Sequence, residues 1–261
     1  MSLWSRDRLR IALAPNGLAL VRHNGQPGKP LASKSVASDG RDWQSLMPLL
    51  ERELADPAWR APRVEVVLSN HYVRYVLTPP PGKALSQTEE TALVAASFRE
   101  IYGNETADWR IRTHSQPPQF GLVGAAIDEA LALQLGGMFT RHQYPNWALQ
   151  PLSTLAAQRN PQRLADWWVL VEPGWACLFN AVGGYWRYLS SQPLDDEWRT
   201  QLPGMLEREA RMAGAQPAGN PLTALIETVG VGNGILPVTP GWNWQTTPPR
   251  GESGVLALAA G

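Results

Sequence analysis

The stretch VEPGWACLFNAVGG (residues 171–184) reads as strand, tight turn, strand. Pro173-Gly174 is a turn dipeptide, and the apolar run after it has the composition of a buried strand. The turn carries Glu172, Pro173, Gly174 and Trp175, with no Asp, Lys, Ser or Thr beside it. An earlier stretch, APNGLALVRHNG (residues 14–25), has the same design around Pro15, Asn16 and Gly17. It closes on Asn24-Gly25, a strong hairpin signal.

The likeness extends outward from the two turns. Residues 9–37 give strand, turn, strand, turn and a third strand in PLASKSVA; residues 167–194 give the same order. A helix follows each. In the first, Trp43, Leu46, Leu49, Leu50 and Leu54 recur at helical spacing with Asp42 as a cap; in the second, Trp198, Leu202, Met205 and Leu206 do so. Both helices contain LERE, and each is followed by an apolar strand, RVEVVLSN (residues 63–70) and LTALIETVG (residues 222–230). The offsets agree: 158 residues from Pro15 to Pro173, 155 from Trp43 to Trp198, 156 from Glu51 to Glu207. LERE alone is a common helical string, but the shared order of five elements indicates an internal duplication.

Between the copies, SQTEETALVAASFREIYG (residues 86–103) predicts a helix with a Ser86/Glu89 capping box and Gly103 at the C-cap. WRIRTH, FGLVGAAI, DEALALQLGGMFTRHQ and WALQPLSTLAAQ continue as strand, strand, helix and strand, an inserted α-β-β-α-β unit. The expected division is a first lobe over residues 1–158, with its core in 1–80 and the insertion in about 81–145, and a second lobe over 159–261. The fold class is α/β, duplicated and two-lobed.

Composition narrows the function classes. Lys plus Arg equals Asp plus Glu at 23 each, and no basic run appears, so the electrostatic footprint of a nucleic-acid binder is missing. The single cysteine, Cys177, cannot form an intramolecular disulfide and sits in the apolar run ACLF as a small hydrophobe. The apolar run after the N-terminal charges is shorter than the roughly 7–15 residues of a signal-peptide core. No stretch reaches the roughly 18–20 apolar residues of a membrane span. A cytoplasmic protein is expected. The four histidines lie far apart, no CxxC or HExxH occurs, and no metal site is expected. Glu89-Glu90, Asp128-Glu129 and Asp195-Asp196-Glu197 fall at predicted helix starts, where capping explains them.

A duplicated three-stranded hairpin unit followed by helix and strand resembles the actin-like, RNase H-type fold. Within it, the chain looks most like PilM-type pilus-assembly proteins and the cytoplasmic domain of GspL-type secretion proteins. The residues that carry this are LRIALAPNGLALVR, the passage FGLVGAAIDEALALQLGGMFTRHQYPNWALQPLSTLAAQ, and WWVLVEPGWACLFNAVGGYWRYLS. The C-terminal GVLALAAG resembles the family's closing helix. The resemblance implies a phosphate hairpin at each turn, so Asn16, Gly17, Glu172 and Gly174 are the cofactor-side candidates. Gly230, Gly232 and Gly234 would lie beside an adenosine.

The departures point away from catalysis. Nucleotide-binding relatives carry Asp-x-Gly in each turn, whereas the first turn here has no carboxylate and the second only Glu172. Pro15 and Pro173 each remove an amide donor, and there is no P-loop lysine to stabilise a transferring phosphoryl group. The expectation is therefore a non-catalytic scaffold without cofactor, with ATP and Mg²⁺ as the alternative. The resemblance also implies a partner: an inner-membrane assembly protein whose short cytoplasmic segment docks near SNHYVRYVLTPPP (residues 69–81). The chain would then sit at the inner-membrane face, meeting the membrane only through that partner. Read as one strand, this segment puts Tyr72 and Arg74 on one face and His71, Val73 and Tyr75 on the other. His71, Tyr72, Arg74 and Tyr75 are the candidate partner residues.

Overall fold

A computed structural model describes residues 7–24, 30–159, 167–214, 221–232, 236–247 and 255–259. In chain order its elements are β1 (Asp7–Ala14), β2 (Gly17–Asn24), β3 (Ala32–Ala37), α1 (Met47–Leu54), β4 (Val64–Leu68), β5 (Arg74–Leu77), α2 (Gln87–Tyr102), β6 (Trp109–His114), β7 (Val123–Asp128) and α3 (Glu129–Arg141). They continue as β8 (Trp147–Pro151), α4 (Leu152–Arg159), β9 (Trp167–Glu172), β10 (Trp175–Val182), β11 (Tyr185–Pro193), α5 (Trp198–Met212), β12 (Leu222–Thr228), β13 (Trp242–Thr246) and α6 (Leu256–Ala259).

The duplication is visible in the sheets. One has the order β3-β2-β1-β4-β8, the other β11-β10-β9-β12-β13. In each, the first three strands form an antiparallel meander and the last two run parallel to the first. A third sheet, β5-β7-β6, has three strands.

By its contacts the chain divides into two compact units, Met1–Val73 with Ile127–Ala156 and Arg250–Gly261, and Arg74–Ala126 with Ala157–Pro249. This division differs from the expected one in a specific way. The inserted elements occur in the expected order, but β8 pairs in parallel with β4 and completes the first sheet. The segment 74–126, which holds β5, α2, β6 and most of β7, groups with the second sheet instead.

In the first unit every residue of β4 is buried, and in β1 all from Leu9 onward, so this sheet is covered on both faces. Lys34 of β3 reaches Glu53 of α1, which places α1 on the Ile11/Leu20 face. On the other face, Arg10 bonds Glu65 and donates to the carbonyl oxygen of Ala259 at the end of α6. Small residues at Ala12 and Ala19 on that face let α6 approach closely.

The second unit is built around Trp167, Val169, Val171, Ala176 and Leu178, packed against Trp198, Leu202, Leu206 and Ala210 of α5. Each fully buried leucine of this face contributes about 1.5–3 kcal/mol of transfer free energy. In the same unit, α2 lays Val94 and Phe98 on Val76, Leu122 and Ala126. Its start is the anticipated capping box: Ser86 N–H donates to Glu89 Oε2 at 2.7 Å, and Glu89 N–H to Ser86 Oγ at 3.4 Å. The Gln116 carboxamide accepts from Trp186 N–H at 2.7 Å and donates to the Trp186 carbonyl at 3.1 Å, mimicking a ladder partner on β11.

Candidate functional site at the hairpin turns

Gly17 closes the first turn, and packing explains it. A Cβ there would stand 2.3 Å from the carbonyl oxygen of Val36 on β3, so only glycine lets β3 lie so close. Asn16 is exposed, and its carbonyl oxygen accepts from Ser38 N–H at 3.1 Å. Pro15 presents no donor.

The second turn pairs Glu172 with Trp175 across Pro173-Gly174. Gly174 has φ 75°, the left-handed value that proline followed by glycine selects in a type II turn. Its carbonyl oxygen accepts from Leu194 N–H at 3.0 Å. The Glu172 carboxylate is 2% exposed and lies on the same sheet face as Leu170 and Cys177. Burial pushes the Cys177 thiol up, and the Glu172 charge adds to it. The thiol therefore stays protonated and is not a nucleophile. The Arg74 guanidinium stands 5.9 Å from the centre of the Trp175 ring, within cation–π range.

The glycine loop joins this turn. Val229 N–H donates to the Val171 carbonyl at 2.8 Å, carrying Gly230 (φ 74°) to the end of β9. The Gly232 carbonyl accepts from Arg199, whose guanidinium rests 4.4 Å from the centre of the Trp198 ring. Gly234 lies outside the described residues. Glu172, Gly174 and Gly230 thus converge at one end of the second sheet, while Asn16 and Gly17 mark the corresponding end of the first. Charge-stabilising chemistry needs several N–H donors and a cation aimed at one point. Here each turn begins with proline, Arg74 sits over an indole, and Arg199 holds a backbone carbonyl. Among the described residues, no group of three or more His, Cys, Asp or Glu assembles to hold a metal ion.

The proposed partner strand is corrected by the structure. Residues 70–72 form a 3-10 turn, not a strand, because Ser69 Oγ accepts from His71 N–H at 3.3 Å and Val73 N–H returns to the Asn70 carbonyl at 3.2 Å. His71 and Tyr72 belong to the first unit, Arg74 and Tyr75 to β5 of the second. Tyr75 is buried edge-on against Phe179 and serves the core. The Tyr72 hydroxyl is buried without a hydrogen-bond partner among the described residues, and burial raises its pKa.

Sequence reasoning missed two polar features. One is the pair of buried glutamates that end the LERE strings, Glu53 and Glu209. Their signal was present in the repeat itself. The other is the Arg74–Trp175 contact, between residues far apart in sequence that no local pattern links.

A twofold repeat of one meander-helix-strand unit, with the turns at equivalent sheet ends, defines an actin-like α/β protein. Solved structures agree. The chain is similar to the cytoplasmic domain of EpsL, an inner-membrane component of the type II secretion system of Vibrio cholerae, with a TM-score of 0.58 and 14% identity over 97% of this chain and 93% of that one. It is similar also to a Bacteroides thetaiotaomicron protein with an actin-like ATPase fold, with a TM-score of 0.57 and 12% identity over 87% of this chain and 83% of that one. The PilM–PilN type IV pilus biogenesis complex gives a TM-score of 0.58 and 12% identity over 85% of this chain and 81% of the other. No family model and no curated protein matches the chain. At these identities the shared property is the fold. No helix among the described residues is long and apolar enough to cross a membrane.

Proposed function

We propose that this chain is a non-catalytic actin-like scaffold of a type IV pilus or type II secretion-like assembly at the inner membrane, binding the cytoplasmic segment of a membrane partner. The observation that carries the reading is the state of the two turns. Both open on proline, and the single carboxylate of the second is buried beside Cys177 and not held out to a metal. Similarity in fold to the EpsL cytoplasmic domain and to PilM–PilN supports the assembly role. The half-buried His71 and Tyr72 of the turn at residues 70–72 are the proposed partner contacts in the first unit, with Arg74 of β5 a separate one in the second.

A second reading, nucleotide sensing, is favoured by one feature, the approach of Gly230 to Glu172 and Gly174. Titration with a fluorescent ATP analogue and Mg²⁺ separates the two. The scaffold predicts no saturable binding; a Kd tighter than about 100 µM, abolished by Glu172→Ala, refutes it. Pull-down with candidate cytoplasmic tails, compared between the native chain and Tyr72→Ala, tests the partner.

A further inference from the structure

The first unit holds a cleft at the opposite end of its sheet from the Pro15-Asn16 turn. β4 runs parallel to β1, so the loops entering β4 and β8 lie at the end where β1 begins. Those two entry loops stand side by side. Val64 N–H donates to the Asn146 carbonyl at 2.9 Å, and Asn146 Nδ2 to the Pro62 carbonyl at 3.4 Å. Between them opens a cleft of about 340 Å³, lined by Arg60, Pro62, His142, Gln143, Tyr144 and Pro145. That volume is at the small-ligand end of the range for binding pockets.

Three polar groups meet there. Arg60 is exposed and forms no ion pair with a described carboxylate, yet its charge reaches the Tyr144 phenol. His142 Nε2–H donates to Glu51 Oε1 at 2.8 Å, which fixes the ring on the cleft wall. Arg141 lies 2.7 Å from the other Glu51 oxygen, so this carboxylate is already neutralised within its own group. Gln143 is the only non-glycine residue with positive φ among those described, at 61°. It occupies the cap of α3, where Gln143 N–H bonds the Thr140 carbonyl and Tyr144 N–H the Phe139 carbonyl. Glycine is the unstrained residue at such a cap. A side chain held there at a conformational cost, on the wall of a cleft, marks a position with work beyond ending a helix. Tyr144 closes the floor, its hydroxyl donating to the Trp59 carbonyl at 3.3 Å.

The geometry points to a small-ligand site that grips an oxyanion, a carboxylate or a phosphate, through the Arg60 guanidinium and the Gln143 carboxamide, with Pro62, His142, Tyr144 and Pro145 forming the rest of the wall. The site is independent of the hairpin turns. It is tested by ¹H–¹⁵N NMR titration of the full chain with citrate and, separately, inorganic pyrophosphate. The expected result is saturable shifts confined to residues 60–64 and 142–147 with at least one probe. Citrate alone identifies a carboxylate ligand and pyrophosphate alone a phosphate ligand. Arg60→Gln should weaken binding by about tenfold or more, the effect of one charge-assisted hydrogen bond. Gln143→Gly should weaken it with the chain folded, and Arg112→Gln, in the other unit, should leave it unchanged. No saturable shift with either probe by about 10 mM, or equal weakening by Arg112→Gln, overturns the proposal.

Discussion

The sharpest test of the repeat lies in its buried glutamates. Glu209 of α5 is 4% exposed and accepts from the Tyr188 hydroxyl on β11 and from Arg208 Nε at 3.0 Å and Nη2 at 2.7 Å. Replacing Glu209 by alanine removes all three bonds and strands the half-buried phenol. A hydrogen bond to a charged group is worth about 1.5–3 kcal/mol. The Arg208 side chain is 53% exposed and can rehydrate, so its pair adds at most about 1 kcal/mol. Glu209→Ala should therefore cost about 2–4 kcal/mol in urea unfolding followed by tryptophan fluorescence, and Arg208→Ala under about 1 kcal/mol. A double-mutant cycle with Tyr188→Phe should return a coupling of about 1.5 kcal/mol or more. Tyr188 adds a pH signature. Burial, then the hydrogen bond and charge of Glu209, raise the phenol above its ordinary 10.0. The unfolded chain loses this proton first, so stability present below pH 10 declines as pH rises above it. Tyr188→Phe should flatten that alkaline decline. If Arg208→Ala costs as much as Glu209→Ala, or the coupling falls below about 0.5 kcal/mol, the clasp is a surface ion pair and the reasoning fails.

Three further substitutions test the local arguments. Gln143→Gly relieves the left-handed strain at the α3 cap and should stabilise the chain by about 1 kcal/mol, a rise of roughly 2–4 °C in Tm by calorimetry, while weakening the oxyanion site. Gly124→Ala drives a Cβ to 2.5 Å from Val94 Cγ1, 2.7 Å from Val76 Cγ2 and 2.8 Å from Phe98 Cε2. It should cost about 1–3 kcal/mol in urea unfolding, whereas Gly204→Ala, inside α5 with nothing within 4 Å beyond its chain neighbours and its own helix backbone, should be neutral or stabilising.

The legible part of this fold was what local chemistry encodes. Proline-glycine and asparagine-glycine punctuation placed the meanders, and Ser86 with Glu89 placed the start of α2. What escaped depends on pairing across the chain. WALQPLSTLAAQ reads as a strand in sequence, whereas only Trp147–Pro151 is one, completing the first sheet by its ladder with β4, and Leu152–Arg159 is helix α4. The counterpart of β8, WNWQT (β13), was not read at all, because five residues between loops give too short a pattern to stand out. His71 and Tyr72 were misassigned because alternation in YVRYVL continues visually into a turn that Ser69 caps. Pro15-Asn16 and Pro173-Gly174 do fall at the turns of the two hairpins. Their surroundings, such as the burial of Glu172, are tertiary facts.

The LERE strings show what the two copies of the repeat share beyond their order of elements. As sequence they are ordinary helix formers. In the structure the final glutamate of each is buried and clasps the third strand of its own meander: Glu53 takes Lys34 at 2.7 Å, and Glu209 takes Tyr188. The donors differ, a lysine in one copy and a phenol in the other, while the carboxylate and its task are the same. The turns follow the same logic. Each keeps a glycine where the backbone demands one, Gly17 under the Val36 carbonyl and Gly174 at positive φ, so the hairpins close as hairpins must. Neither demand involves a phosphate. A proline in each turn lowers the entropy of the open turn and also deletes an amide. Each proline favours a rigid frame and works against anion binding, which is the physical ground for reading this chain as a scaffold.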